Sequence, residues 1–346
     1  MEKAKTKSIK DNKLINKLSK NIVPITFLIL AIVGIILSDV SLNLMTNELY
    51  RRIIRNTIMI LALIVPIMAG MGINFSIGIG ALCAHFSSIV IVSMDIKGIA
   101  SFILVVAMSI VLAFICGNII GFILNKSKGR EMITSLVIGL LGTSLYNIVF
   151  MVGYGTIIKP KNDSMLLSNG IGVQSMVDLF RFKEVIIKYP FIPILFIILV
   201  TLFIVYITNS KLGVKLKAIG ENMKTAYSLG IEVDKYRIYA IVISTVIAAI
   251  GQLMFIFDIG TLNVYTGHLN VDVFACASLL AGGATLAKAN LKNAFFGVIL
   301  FHTLFIVSPL AGQNLFSNAA LGEYFRSFIA YSTIIFSLIM NMRNEQ

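Results

Sequence analysis

Few side chains in this very apolar sequence are of types that do chemistry, and their spacing narrows what that chemistry is. His85, His268 and His302 stand far apart without metal-ligand spacing, and each reads as a packing or interfacial ring. Cys83, Cys116 and Cys276 lie in apolar runs, form no Cys-x-x-Cys pair and read as small packing hydrophobes. No GxxxxGK(S/T) loop is present to cradle nucleotide phosphates. Asp258, Asp272 and Glu323 fall near expected outer span ends, where solvated caps are the plain expectation; Glu323 and Arg326 have the i,i+3 spacing of a helical ion pair. No serine, histidine and acid are spaced as a catalytic set. What remains is hydrogen-bond exchange by hydroxyls, amides and exposed backbone, and docking by a polar loop.

Two glycine-rich elements offer the first. In MAGMGINFSIGIGALCA, Met68 to Ala84, glycines crowd around Asn74 and Ser76, with Gly78 just beyond. Glycine is disfavoured inside helices, so this density predicts a broken or closely packed helix pair. Irregular backbone is tolerated at membrane depth only where protein or a wet cavity covers it. In LLAGGATLAKAN, Leu279 to Asn290, Gly282 and Gly283 precede Thr285. Both elements are expected at mid-bundle depth. They read either as pathway lining or as helix packing by small residues.

The second is the stretch KLGVKLKAIGENMKTAYSLGIEVDKYR, Lys211 to Arg237, a long polar interruption between hydrophobic runs. Gly220 reads as a turn, Asn222 as an N-cap, Met223 to Leu229 as a short helix and Gly230 as its left-handed C-terminal cap. Two helical turns are unstable alone in water and need support. Met223, Ala226 and Tyr227 share one face at i, i+3, i+4 spacing, a shape that fits a groove on another protein. An ordinary cytoplasmic loop, kept polar for solubility, accounts for the same residues.

The elements that must position these residues are membrane helices. The 346 residues are 58% hydrophobic and 13% charged, where a soluble domain is about one quarter charged. Ten spans are expected, near 21–38, 57–73, 76–94, 98–124, 131–153, 189–208, 238–257, 269–286, 292–309 and 323–341, giving an all-α polytopic bundle. The net charge of +13 does not point to nucleic acid, because the lysines from Lys3 to Lys20 precede the first span as a cytoplasmic flank does. The first run is too long for a signal peptide, lacks a cleavage site and reads as a retained helix. With the N-terminus inside, 19 of the 29 Lys and Arg fall on the cytoplasmic side, and both termini are cytoplasmic. Arg51, Arg52 and Arg55 are an exception, read as snorkelling outward or as an error in the early topology. The chain divides into a basic segment 1–20, six spans over 21–208 with an external loop 154–188, a cytoplasmic loop 209–237, four spans over 238–341 and a tail 342–346. Within the external loop, VQSMVDLFRFKEV reads as a short surface helix facing a receptor, or as a solvated loop.

AIGEN followed by an alanine and LGI-x-V resembles the coupling-loop signature of permease subunits of bacterial ABC importers, the ribose/simple-sugar, nucleoside and branched-chain amino-acid group. Gly213, Ala218, Gly220, Glu221, Asn222, Ala226, Gly230, Ile231 and Val233 carry the match, with Tyr227 beside them. Family members often have proline at the position of Met223 and small residues at Tyr227 or Ser228. The resemblance extends from about Thr57 onward. GINFSIG, Gly72 to Gly78, is similar to an element of the sugar-type permeases, with Asn74 where aspartate is commoner. Gly282, Gly283, Thr285 and Leu286 resemble the family's second glycine element, which often continues with glycines where this chain has Ala287 and Lys288.

The resemblance implies a permease of the bacterial plasma membrane that binds no cofactor or metal and is not itself an enzyme. Its implied partners are ATPase subunits using ATP and Mg at the coupling loop, a second permease, the same or paralogous, and an external binding lipoprotein or periplasmic protein. Asn74, Ser76, Gly78, Gly282, Gly283 and Thr285 are the expected substrate pathway. A neutral polar solute is expected, a simple sugar before a nucleoside and a branched-chain amino acid third. The alternative from another class is an ion-coupled secondary transporter, which calls for inverted repeats or deep ionisable residues that the sequence does not display. A membrane-embedded enzyme is weaker still, for want of a catalytic constellation.

Overall fold

The computed structural model describes residues 22–96, 98–162 and 165–344. The basic segment expected over 1–20 lies outside the described residues, as do the last two positions of the tail. The chain is predominantly helical. In order it forms α1 (Ile22–Ser38), α2 (Leu42–Leu61), α3 (Ile64–Met68), α4 (Ile77–Ser93), α5 (Gly98–Lys126) and α6 (Glu131–Ile148), the last extended by a π turn at Val149–Gly153. Then come β1 (Met176–Asp178), α7 (Phe180–Lys188), α8 (Phe191–Asn209), α9 (Lys211–Glu221), α10 (Met223–Ser228) and α11 (Val233–Ile259). The last elements are β2 (Thr261–Asn263), α12 (Val271–Ala281), α13 (Leu291–Phe316) and α14 (Ala319–Asn344).

Among the described residues, five helices are long and apolar enough to cross a membrane: α5, α6 with its extension to Thr156, α8, α11 and α13. The other expected spans are built differently. The apolar helices α1 and α4 have 17 residues each. The segment expected at 57–73 is the end of α2, the five-residue α3 and a non-helical stretch. At 11 residues, α12 is about 16 Å long against a hydrocarbon core of about 30 Å, so it does not cover the span expected at 269–286.

A small ribbon corrects the all-α expectation. β1 and β2 pair antiparallel with Val177 opposite Leu262. Both side chains are buried while their strand neighbours are exposed, the alternation that a half-covered strand requires. β1 lies within the loop 154–188, where only a surface helix was expected, and β2 lies in the connection after α11; α7 follows β1.

The chain packs as two compact units. In the unit made of residues 22–53 and 276–344, α13 packs against both α1 and α14. In the unit made of residues 54–275, α11 is the hub and lies against α4 and α5. Most of the apolar window of α11 is buried (78%), against 11% for α6. The exposed large apolar side chains of α6, Ile133, Leu136, Val137, Leu140, Leu141, Leu145 and Ile148, lie on one side of the helix. A stripe of that kind suits lipid, whereas α11 is buried on most sides by protein.

Candidate functional site

The polar stretch folds as two helices. Ser210 caps α9 by accepting from the Gly213 amide at 3.4 Å, and Asn222 caps α10 by accepting from the Thr225 amide at 3.0 Å. At the other end of α10, Gly230 takes φ +75°. Its amide donates to the Tyr227 carbonyl at 3.0 Å, and the Ile231 amide donates to the Ala226 carbonyl at 3.1 Å. Those two bonds make a Schellman cap, which an L side chain at Gly230 would strain.

Two expectations change here. Gly220 is inside α9 rather than in a turn. A Cβ on it would stand 2.4 Å from the Met68 carbonyl oxygen and 3.1 Å from the Gly70 amide, so glycine lets α9 touch the backbone after α3. Ala226 faces inward: it is buried with Ile219 and Val233, with Met223, Ile231 and Tyr236 packed against them. The outward face of α10 is therefore Tyr227, 76% exposed, with Ser228 and Leu229. Glu221 ends α9 in solvent, while the Ala218 carbonyl accepts from the Asn222 amide at 3.1 Å. Gly213 lies against the Ile207 and Thr208 carbonyls at the α8–α9 corner. Beside Tyr227 runs a concave surface of about 600 Å³, lined by Met223, Lys224, Lys128, Glu232 and Asp234 among others.

A buried ion pair secures this loop to the bundle. Arg237 of α11, fully buried, pairs with Glu131 at the start of α6. Its Nε donates to Asn125 Oδ1 at 3.0 Å, and an Nη lies 3.9 Å from the Met223 sulfur in α10. Asn125 in turn donates to the Asp234 carbonyl at 2.7 Å. α5, α6, α10 and α11 thus meet at one charge pair.

The first glycine-rich element is the expected break: between α3 and α4 the chain is non-helical, with Gly70 and Gly72 at φ +69° and +67°. Asn74 and Ser76 are buried and engaged. Asn74 Oδ1 accepts from the Ser76 amide at 3.1 Å and from the Ser76 hydroxyl, and its Nδ2 is 3.4 Å from Ser244 Oγ. These bonds hold the break in shape. Gly70 touches Gly220, so the break begins beside the polar loop, while Asn74 at its other end reaches Ser244 near the middle of α11. Gly78, half-buried, faces open space.

The second element belongs to the other unit. A Cβ on Gly282 would stand 1.9 Å from the Asn293 carbonyl, so this glycine lets the end of α12 pack on α13. Gly283, at φ +85°, turns the chain. Thr285 closes the turn with Lys288, its amide donating to the Lys288 carbonyl at 2.8 Å and its hydroxyl accepting from the Lys288 amide at 3.0 Å. It sits in a connection, not within a helix.

A family model described as branched-chain amino acid transport system / permease component matches residues 46–340. The chain belongs to this family. It is 21% identical over 271 residues to the high-affinity branched-chain amino acid transport system permease protein LivH of Salmonella typhimurium, covering 78% of this chain and 83% of that protein. It is 26% identical over 279 residues to the probable branched-chain amino acid transport permease protein LivM of Methanocaldococcus jannaschii, covering 78% of this chain and 73% of that protein. Against the autoinducer 2 import system permease protein LsrC of Yersinia pseudotuberculosis, identity is 25% over 200 residues, covering 54% and 57%. No solved structure matches significantly. The chain is thus a multi-pass membrane permease of the ABC-importer type, in the group that its polar loop resembles.

The permease also contains contacts that sequence spacing hid. Arg55 pairs with Asp258, so that acid is not merely a solvated cap. Glu323 and Arg326 do pair, and Arg326 and Arg52 stand 4.1 and 5.4 Å from the ring centre of Phe305. His85 and His268, read as isolated rings, meet with centroids 5.6 Å apart, and Tyr146 joins both at 6.3 and 5.4 Å. Nothing in the sequence signals this cluster, because its members come from α4, α6 and the connection before α12.

Proposed function

We propose that this permease forms half of a translocation pathway for a small neutral, hydroxyl-rich solute, a simple sugar before a nucleoside. The observation that carries the coupling half of this reading is α10: doubly capped, tied beneath by Ala226, and presenting Tyr227 and Leu229 outward. Such a face suits a groove on a cytoplasmic ATPase that binds and hydrolyses ATP with Mg. Movement of α10 would pull on Arg237 through Met223, while α9 would push the α3–α4 break through Gly220. ATP binding would bias the bundle between inward- and outward-open states in this way. A second permease, identical or paralogous, completes the pathway, and an external binding protein or lipoprotein delivers the solute. No nucleic acid takes part. Ten crossings, with both termini cytoplasmic, remain the topology we favour.

The neutral-solute half rests on the polar groups buried in the unit of residues 54–275. Asn74, Ser76, Ser244, His85, Tyr146 and Gln252 are all uncharged, and the buried Arg237 is already paired. A carboxylate or ammonium leaving water would find no fixed opposite charge among them, and its desolvation is far costlier than that of a hydroxyl. The family match and LivH favour a second reading, a branched-chain amino acid. Reconstituting the complete importer in proteoliposomes and measuring ATP-driven uptake of D-ribose, uridine and L-leucine separates the two. Uptake of ribose or uridine over leucine is expected; preferential leucine uptake overturns the neutral-solute reading.

A further inference from the structure

Seven buried side-chain polar atoms among the described residues of the unit 54–275 have no hydrogen-bond partner, and four of them belong to the three rings that meet. These four are His85 Nδ1, His268 Nδ1 and Nε2, and the Tyr146 hydroxyl. Native interiors leave few such atoms unsatisfied, so a cluster of them marks a place where something polar binds. Their protonation follows from Gln252. Its Nε2 lies 3.3 Å from the Gly267 carbonyl oxygen, which can only accept, and 2.8 Å from His85 Nε2. The amide nitrogen therefore donates to both, His85 Nε2 accepts, and the His85 proton sits on Nδ1. His85 thus presents an unused donor, His268 one donor and one acceptor, and Tyr146 a hydroxyl able to do either.

The surroundings keep these rings close together and neutral. A Cβ at Gly267 would stand 3.2 Å from His85 Cε1 and 2.6 Å from the Asn263 carbonyl, so only glycine allows the His268 connection so close to α4. The Tyr265 hydroxyl fixes that connection by donating to the Val173 carbonyl at 2.7 Å. No acidic side chain pairs with either histidine among the described residues.

We propose that His85, Tyr146 and His268 form a solute subsite that takes hydroxyl groups of a sugar or of a nucleoside's ribose. This deepens, and rests on, the neutral-solute reading above. A hydroxyl donates and accepts at once, which is what a mixed set of donors and acceptors needs. A carboxylate only accepts and would leave the free nitrogen of His268 without a donor. The three rings already meet edge to face at 5.4–6.3 Å between centroids, so a solute hydroxyl would reach their polar edges rather than enter between them.

The test uses Tyr146→Phe and His268→Phe in the assembled importer, with its ATPase and binding protein, in proteoliposomes. Tyr146→Phe removes only a hydroxyl that has no partner, and His268→Phe exchanges two unpartnered ring nitrogens for a slightly larger ring, so melting temperatures close to the wild-type value are expected. Solute carried per ATP hydrolysed, read with saturating D-ribose or uridine, is expected to fall about five- to tenfold, the worth of one neutral hydrogen bond. Wild-type uptake per ATP in both variants overturns the subsite while leaving the neutral-solute reading intact. A lowered melting temperature that accounts for the lost uptake also overturns it, because the rings would then be structural. Uptake of leucine instead of ribose and uridine by the wild type, or of none of the three, overturns the neutral-solute reading itself.

Discussion

Replacing Arg237 with methionine is the sharpest test of how the polar loop is held. Arg237 is fully buried, and Glu131, its ion-pair partner, has a side chain only 10% exposed. Arg237→Met keeps most of the volume but strands a buried carboxylate and removes the donor to Asn125. Breaking a buried pair from one side costs about 3–5 kcal/mol, because the remaining charge is uncompensated. At roughly 2–4 °C per kcal/mol for a large domain, the melting temperature of the purified permease should fall on the order of 10 °C. Adding Glu131→Gln removes the stranded charge, and replacing a whole buried pair by neutral groups is often close to neutral. Most of the loss should therefore return in the double variant. The assay is thermal unfolding in detergent for the wild type, Arg237→Met, Glu131→Gln and the double variant, as a double-mutant cycle. A wild-type melting temperature for Arg237→Met, or a double variant no more stable than Arg237→Met, would refute the buried-pair account. The same variants read in proteoliposomes should hydrolyse ATP with less solute moved, because Arg237 also contacts Met223 of α10.

The exposed face of α10 predicts that Tyr227→Asp leaves melting unchanged but weakens ATPase co-purification at least tenfold. Ala226→Glu should instead lower melting, since that charge enters the Ile219–Val233 cluster. Gly220→Ala puts a Cβ 2.4 Å from the Met68 carbonyl, so it should reduce ATP-coupled uptake severalfold with the complex still assembled; wild-type uptake would remove the proposed α9 link. After the native cysteines are replaced, single cysteines at Lys217 and Lys161 should label from opposite faces of intact cells, and labelling of both from outside would overturn the ten-span topology.

The membrane character of the chain, its family and the caps of α10 were legible in the sequence. Composition sets the solvent a chain can tolerate, and the caps at Asn222 and Gly230 join residues at most five positions apart. Local bonds of that kind need only local residue types. The direction in which Ala226 points is different, because it depends on what α10 lies against. The same holds for Arg237 with Glu131, for Arg55 with Asp258 and for the three rings around His85. Each joins helices far apart in the chain, and each is fixed by how those helices are rotated and shifted along one another. Amphipathic helices write that rotation into a polar–apolar stripe, but α4 and α11 bury side chains all round and carry no such stripe. Their orientation was set by glycine contacts and side-chain packing, which only the tertiary structure assembles.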